Sequence, residues 1–142
     1  MEQIVKNREV VLASYANEGP VTDDHLKIRE TQLNLNACKE GEVAVQNMWA
    51  SVDPYLRWLM WESKTFSFDN FKLDQPIVSH MVGKVAVSAN AAFKVGDVVT
   101  GLYEVSEYSI VGGSNLKKLD PNLVKPSDYF GPLGTHLPFH CN

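Results

Sequence analysis

With 142 residues, 44% of them hydrophobic and 21% charged, the chain has the size and balance of one soluble globular domain, with neither a disordered nor a fibrous bias. Its net charge of −4, from 17 acids against 13 scattered bases, argues against nucleic acid and anionic membrane as partners. The opening MEQIVKNREVV lacks the apolar stretch of a secretion signal, and no run approaches ~18 apolar residues, the length of a membrane span. Cys38 and Cys141 are the two cysteines, so a reducing, cytoplasmic setting is expected.

The first ninety residues alternate between strand and loop patterns. REVVLASY (8–15) and HLKIRETQL (25–33) predict strands, separated by the turn-rich ANEGPVTDD (16–24). GEVAVQNMW (41–49) predicts a third strand, which must end before Pro54 because proline cannot continue a central strand. YLRWLMWES (55–63) predicts a short helix, apolar nearly all round, with Pro54 in its first turn and Asp53 as its cap. FSFDNFKLDQP (66–76) is an irregular aromatic loop.

MVGKVAVSA (81–89) predicts a strand in which Gly83 marks a bulge or a close backbone approach. FKVGDVVTGLYEVSEYSIV (93–111) predicts two more strands, with Gly96-Asp97 as turn chemistry. NLKKLD (115–120) has the look of an edge strand, and KPSDYFGPLG (125–134) of a helix capped by Ser127. Many short strands with little helix point to a mainly β domain with short helices, a barrel or sandwich.

Common chemical signatures are missing. VGGSN (111–115) lacks the spacing of a dinucleotide loop, and there is no G-K-S/T, G-x-S-x-G or H-E-x-x-H. The tail THLPFHCN (135–142) offers His136, His140 and Cys141, but Pro138 breaks the helix that would align them, and Cys38 stands alone. A frayed tail is the expectation there, and a surface position for His25.

ASVDPYLRWLMW (50–61) places Asp53, Tyr55 and Arg57 in the most apolar neighbourhood of the chain. Buried polar groups need partners, so these residues either form a structural knot or face a ligand. Tyr55 is a core tyrosine or a ligand-facing one. Arg57 is a clamp on Asp53 or a substrate contact. Trp58 and Trp61 are packing residues or a stacking platform.

Within that stretch, NMWASVDPYLR (47–57) resembles the N-L-x-L-S-x-D-P-Y-M-R segment of zinc-independent medium-chain dehydrogenases/reductases, nearest to the NADP-dependent alkenal double-bond and prostaglandin reductases. The stretch 75–111 is similar to that family's V-G-x-V, F-x-x-G-D-x-V-x-G and W-x-E-Y elements, and the likeness runs from about Glu9 to Gly134. It implies a GroES-like β-barrel substrate domain over residues 1–134, without zinc: the Gly-His-Glu segment and catalytic cysteine of zinc-bearing members have no counterpart. It also implies reduction of the C=C bond of an α,β-unsaturated aldehyde or ketone with NADPH. Tyr55 then lines the substrate pocket, and His80 stands where plant members carry a second pocket tyrosine.

After Gly134 the family continues M-P-G-x-T-A-Y into a Rossmann cofactor domain, whereas this chain continues THLPFHCN. The expectation is a substrate domain lacking its Rossmann domain, with a disordered tail over 135–142 and little or no activity alone. The alternative is a non-catalytic module that pairs with a full-length relative.

Overall fold

Strand formation follows the alternating runs. A computed structural model describes residues 2–63 and 69–120, together with Asn122, Lys125 and Asp128. β1 (Ile4–Leu12) and β2 (Leu26–Asn34) form an antiparallel ribbon in unbroken register from Ile4↔Asn34 to Leu12↔Leu26. β1 carries the buried Asn7, Val11 and Leu12, whereas β2 buries no residue fully and leaves Ile28 in solvent. The ribbon's inner strand is therefore β1. The loop between them turns at Gly19, whose φ of +70° suits a residue without a Cβ.

The remaining strands make one antiparallel sheet. β3 (Glu42–Ala50), β4 (Val78–Ser88), β5 (Val98–Glu104), β6 (Tyr108–Gly112) and β7 (Leu116–Leu119) lie in the order β6-β3-β4-β5-β7. The NLKKLD strand is at an edge, as expected, and pairs with β5. The two edges approach each other through the 3₁₀ turn at Gly113–Asn115, and Leu116 packs both on Val43, Val45, Val85 and Val99 and on Met81, Tyr103 and Val111. The sheet thus curls around its valines, which gives the mainly β, barrel-like domain expected.

Gly83 meets both halves of its expectation. A Cβ there would stand 2.4 Å from Val45 Cγ1 and 2.6 Å from the Gln46 carbonyl, and β3 shifts register against β4 between Asn47 and Trp49. Gly96 takes a φ of +94° in the turn before β5.

The one α-helix among the described residues is α1 (Tyr55–Leu59), shorter than its sequence pattern. Its cap differs from the expectation. Pro54 occupies the cap position, where its side chain makes no hydrogen bond, and the Asp53 carboxylate accepts from Ser51 Oγ at 2.7 Å. The helix expected after Ser127 and the tail 135–142 lie outside the described residues. No described helix is long and apolar enough to cross a membrane.

Candidate functional site

The polar residues of the 50–61 stretch are organised by the way β3 ends. The chain leaves the sheet at Ser51, which is buried, and its N–H donates to the His80 carbonyl of β4 at 2.8 Å. Ser79 Oγ donates to the Ser51 carbonyl, and Ser51 Oγ donates to Asp53. Residues 51–53 are thus fixed to β4 by backbone and side chain before Pro54, at φ −57° and ψ −30°, starts the helix.

α1 is anchored on both flanks. The Ala16 amide donates to the Met60 carbonyl at 3.0 Å, and the Phe71 amide to the Leu59 carbonyl at 2.8 Å. Met60 joins Leu12, Ala16, Phe71 and Ile77 in a core cluster, with Leu56 and Leu59 half-buried against it. Arg57 is a structural clamp whose guanidinium donates to the carbonyls of Ala16 and Gly19, the latter at 2.8 Å, and lies over the Trp61 ring at 5.9 Å. It thereby ties the loop after β1 to the helix.

Tyr55 is the exception in this satisfied corner. Its hydroxyl is shielded from solvent and makes no hydrogen bond among the described residues, a state it shares with Trp61 Nε1. Such an orphaned donor is rare in native proteins. Burial, and after it the nearby Asp53 carboxylate, pushes the phenol's pKa up, while the Ser79 hydroxyl beside it acts the other way. The net result is a phenol held in its neutral, proton-bearing form.

His80 is placed differently. On β4 it is the Cα partner of Leu102, while its neighbour Ser79 is the partner of Tyr103. Successive strand residues face opposite sides of a sheet, so His80 shares a face with the half-exposed Leu102, and Ser79 shares one with the buried Tyr103. Ser79, rather than His80, is thus the one of the pair turned to the buried side of the sheet.

Two features escaped the sequence reading. Asn47 is a structural hub: it donates to the Ser106 carbonyl at 2.9 Å and to Ser109 Oγ at 3.0 Å, and accepts from the Tyr103 hydroxyl at 2.9 Å. Beside it runs an open groove of about 330 Å³, lined by Arg8, Ile28, Met48, Trp49, Met81 and Glu107 among others. The only signal for the groove was the apolar Met48-Trp49 pair at the end of a strand whose start is already fully buried. His25, expected at the surface, is half-buried and accepts from the Thr22 amide through Nδ1 at 2.9 Å.

Comparison with known proteins identifies this architecture. Residues 8–119 match the family described as the N-terminal domain of oxidoreductase. The protein YfmJ of Bacillus subtilis is 38% identical over 127 residues, covering 89% of this chain and 36% of its own length. The NADP(+)-dependent 2-alkenal reductase of Nicotiana tabacum is 32% identical over 136 residues, covering 94% of this chain and 39% of that protein. The structure of CurA from Vibrio vulnificus in complex with NADPH superposes with a TM-score of 0.78 at 27% identity, covering 89% of this chain and 36% of CurA. The chain spans less than two-fifths of the length of these relatives. It belongs to the family of N-terminal oxidoreductase domains, in the NADP-dependent reductase group of the medium-chain dehydrogenases/reductases.

Proposed function

We propose that residues 1–134 are the substrate domain of a cytoplasmic, zinc-free oxidoreductase that reduces the C=C bond of α,β-unsaturated aldehydes or ketones. The observation that carries this reading is the Tyr55 hydroxyl: buried, kept neutral, and without a hydrogen-bond partner among the described residues. A free donor in a water-poor corner is what a carbonyl substrate needs. When hydride adds to the β-carbon, the π electrons move toward the carbonyl and negative charge collects on its oxygen. The Tyr55 O–H donates to that oxygen and stabilises the charge, and the α-carbon then takes a proton from water, which leaves as hydroxide to be neutralised by the buffer. Ser51, Asp53 and Pro54 hold the tyrosine in place. His80 is the second pocket residue of this reading, and its carbonyl receives the Ser51 N–H.

NADPH supplies the hydride in this chemistry. The described residues do not fit a grip on its pyrophosphate: α1 has five residues and follows Asp53-Pro54 rather than a glycine-rich turn. The binding of NADPH is therefore assigned to polypeptide outside them. A second reading, a non-catalytic module pairing with a full-length relative, draws on the exposed Met48, Trp49, Val52 and Trp58. Co-purification with that relative at fixed stoichiometry would favour it.

The test uses the protein isolated at its native mass from its source cells, with trans-2-hexenal and NADPH consumption as the readout. Turnover to the saturated aldehyde is expected, and Tyr55→Phe lowers kcat by about 10²-fold with KM little changed, the effect of losing one donor to a developing oxyanion. Unchanged kcat in Tyr55→Phe removes Tyr55 from the chemistry. Wild-type protein that consumes no NADPH sinks the reductase reading.

A further inference from the structure

The groove beside Asn47 has no unpaired polar side chain to offer a ligand. The Asn47 amide is spent on Ser106, Ser109 and Tyr103, and the Ser106 hydroxyl donates to the Tyr108 carbonyl at 2.8 Å. The charged groups on its border are paired as well. Arg8 donates through Nε and Nη2 to Glu107 Oε1, and Glu9 is held by Arg29 at 3.0 Å. With two cations against two anions the border is neutral, although the chain carries −4. A polar small molecule or a strongly charged partner would have to break these pairs to be held. What the groove does offer is apolar: Met81 and Val105 line it, Ile28 is exposed beside it, and Met48 and Trp49 are half-exposed. A cavity of about 330 Å³ and a large projecting ring thus stand side by side on one face.

We propose that this face docks a second copy of the chain across a two-fold axis, with the Trp49 ring of each copy seated in the groove of the other. A surface that carries both a cavity and a projecting side chain complements itself under a two-fold rotation. The border charges obey the same rule. Rotation sets Arg8 of each copy against Glu107 of the other, so the two intrachain pairs join into one network of alternating sign. Two copies that repel through their net charge approach at least cost through a neutral face. Trp49 is the anchor, an aromatic ring leaving water at the centre of the contact. The face is small, so monomer and dimer exchange in the micromolar range. Tyr55 does not border the groove, and the inference is independent of the chemistry proposed for it.

The experiment has two arms. In the first, the purified 142-residue chain is followed by sedimentation velocity across the micromolar range. A monomer–dimer equilibrium is expected, and Trp49→Asp weakens it about 30-fold, the effect of losing a central aromatic anchor, with little change in melting temperature. A wild-type chain that stays monomeric overturns the inference, as does a dimer that Trp49→Asp leaves intact. A chain that is monomeric alone and binds only a full-length relative overturns it too, since the relative is then the occupant. Should Trp49→Asp not fold, Met48→Lys takes its place with the same two outcomes. In the second arm, Arg8→Glu and Glu107→Arg are made separately, and each sets like charges against each other across the axis. Mixed together, the two variants oppose unlike charges at both ends of the contact. The mixed dimer is expected to be about tenfold tighter than either variant's own, read by energy transfer between differently labelled chains. Equal affinities of mixed and unmixed chains overturn the inference, because a loss of the intrachain pair alone affects all three dimers alike.

Discussion

The two halves of β3 live in different worlds. Val43, Ala44 and Val45 are fully buried, flanked by β4 and β6 and packed on Val85 and Val99. Four residues on, Met48 and Trp49 are 43% and 49% exposed, and the chain runs from there to Val52 and the half-exposed Trp58 of α1. At the first end β3 is paired on both sides, with β4 and with β6. At the second, large apolar side chains face water and two buried polar atoms, Tyr55 Oη and Trp61 Nε1, lack partners among the described residues. That the fold is sealed by its own residues at one end and left apolar and polar-unsatisfied at the other is why the proposed chemistry is placed at the unsealed end.

The sharpest break in that contrast comes from the sealed end. Gly83→Ala puts a methyl 2.4 Å from Val45 Cγ1 and 2.6 Å from a backbone oxygen that cannot rotate away. A loss of about 3 kcal/mol is expected, the upper range for overpacking, read as a lower midpoint in chemical denaturation at unchanged slope. A cost well under 1 kcal/mol would show that the β3–β4 bulge yields and that this end is not rigid.

Next in size is a pair of identical changes with opposite signs. The Tyr103 hydroxyl donates to Asn47, so Tyr103→Phe leaves a buried acceptor short and is expected to destabilise by about 1 kcal/mol. The Tyr55 hydroxyl is buried without a partner among the described residues, so Tyr55→Phe is expected to stabilise by about the same amount while removing the donor proposed for the chemistry. Thermal unfolding of both variants decides this. If Tyr55→Phe is destabilised like Tyr103→Phe, the Tyr55 hydroxyl has a structural partner and the contrast between the two ends collapses.

How much of this was legible beforehand depended on how local each requirement was. Gly83 and Gly96 could be read because a bulge, a close approach or a positive φ constrains the residue at that position, whatever lies elsewhere. The strands of residues 4–50 could be read for the same reason, through their alternation. The cap position falls on Pro54 rather than Asp53, because sequence order does not say at which residue the first helical turn begins. Asn47 could not be found at all, since its partners are 56 to 62 residues away. The face of β4 that each residue presents could not be read either, because it depends on register across a bulged pair of strands, and a shift of one residue exchanges Ser79 for His80.

Smaller effects test the unsealed end. Trp49 is half-exposed in a groove of about 330 Å³, so Trp49→Ser is expected to cost less than about 0.5 kcal/mol, the range for surface changes. It should still lower the binding of a hydrophobic dye and the tendency to self-associate, measured by light scattering. A large loss of stability would mean that Trp49 is part of the core and that the groove is closed in solution.

The smallest effect returns to the sealed end, in the turn before β5. The Asp97 carboxylate accepts from Lys118 Nζ and from the Lys94 amide, each at 2.8 Å. The hydrogen bond from Lys118, and after it the one from the Lys94 amide, holds its pKa below the ordinary aspartate value. A pKa depressed by folding means that the folded state binds the proton less readily than the unfolded chain. The stabilisation is therefore present above the ordinary aspartate pKa and is lost as pH falls through the depressed one. Because the pair lies in solvent, the effect is small and screened: Lys118→Met should narrow the fall in melting temperature between about pH 6 and about pH 3, and ~1 M salt should do much the same in the wild type. An acid limb unchanged by Lys118→Met would move the cause to the Lys94 amide. The turn would then be held by its backbone alone, and β7 would add nothing electrostatic to the end of the sheet that it closes.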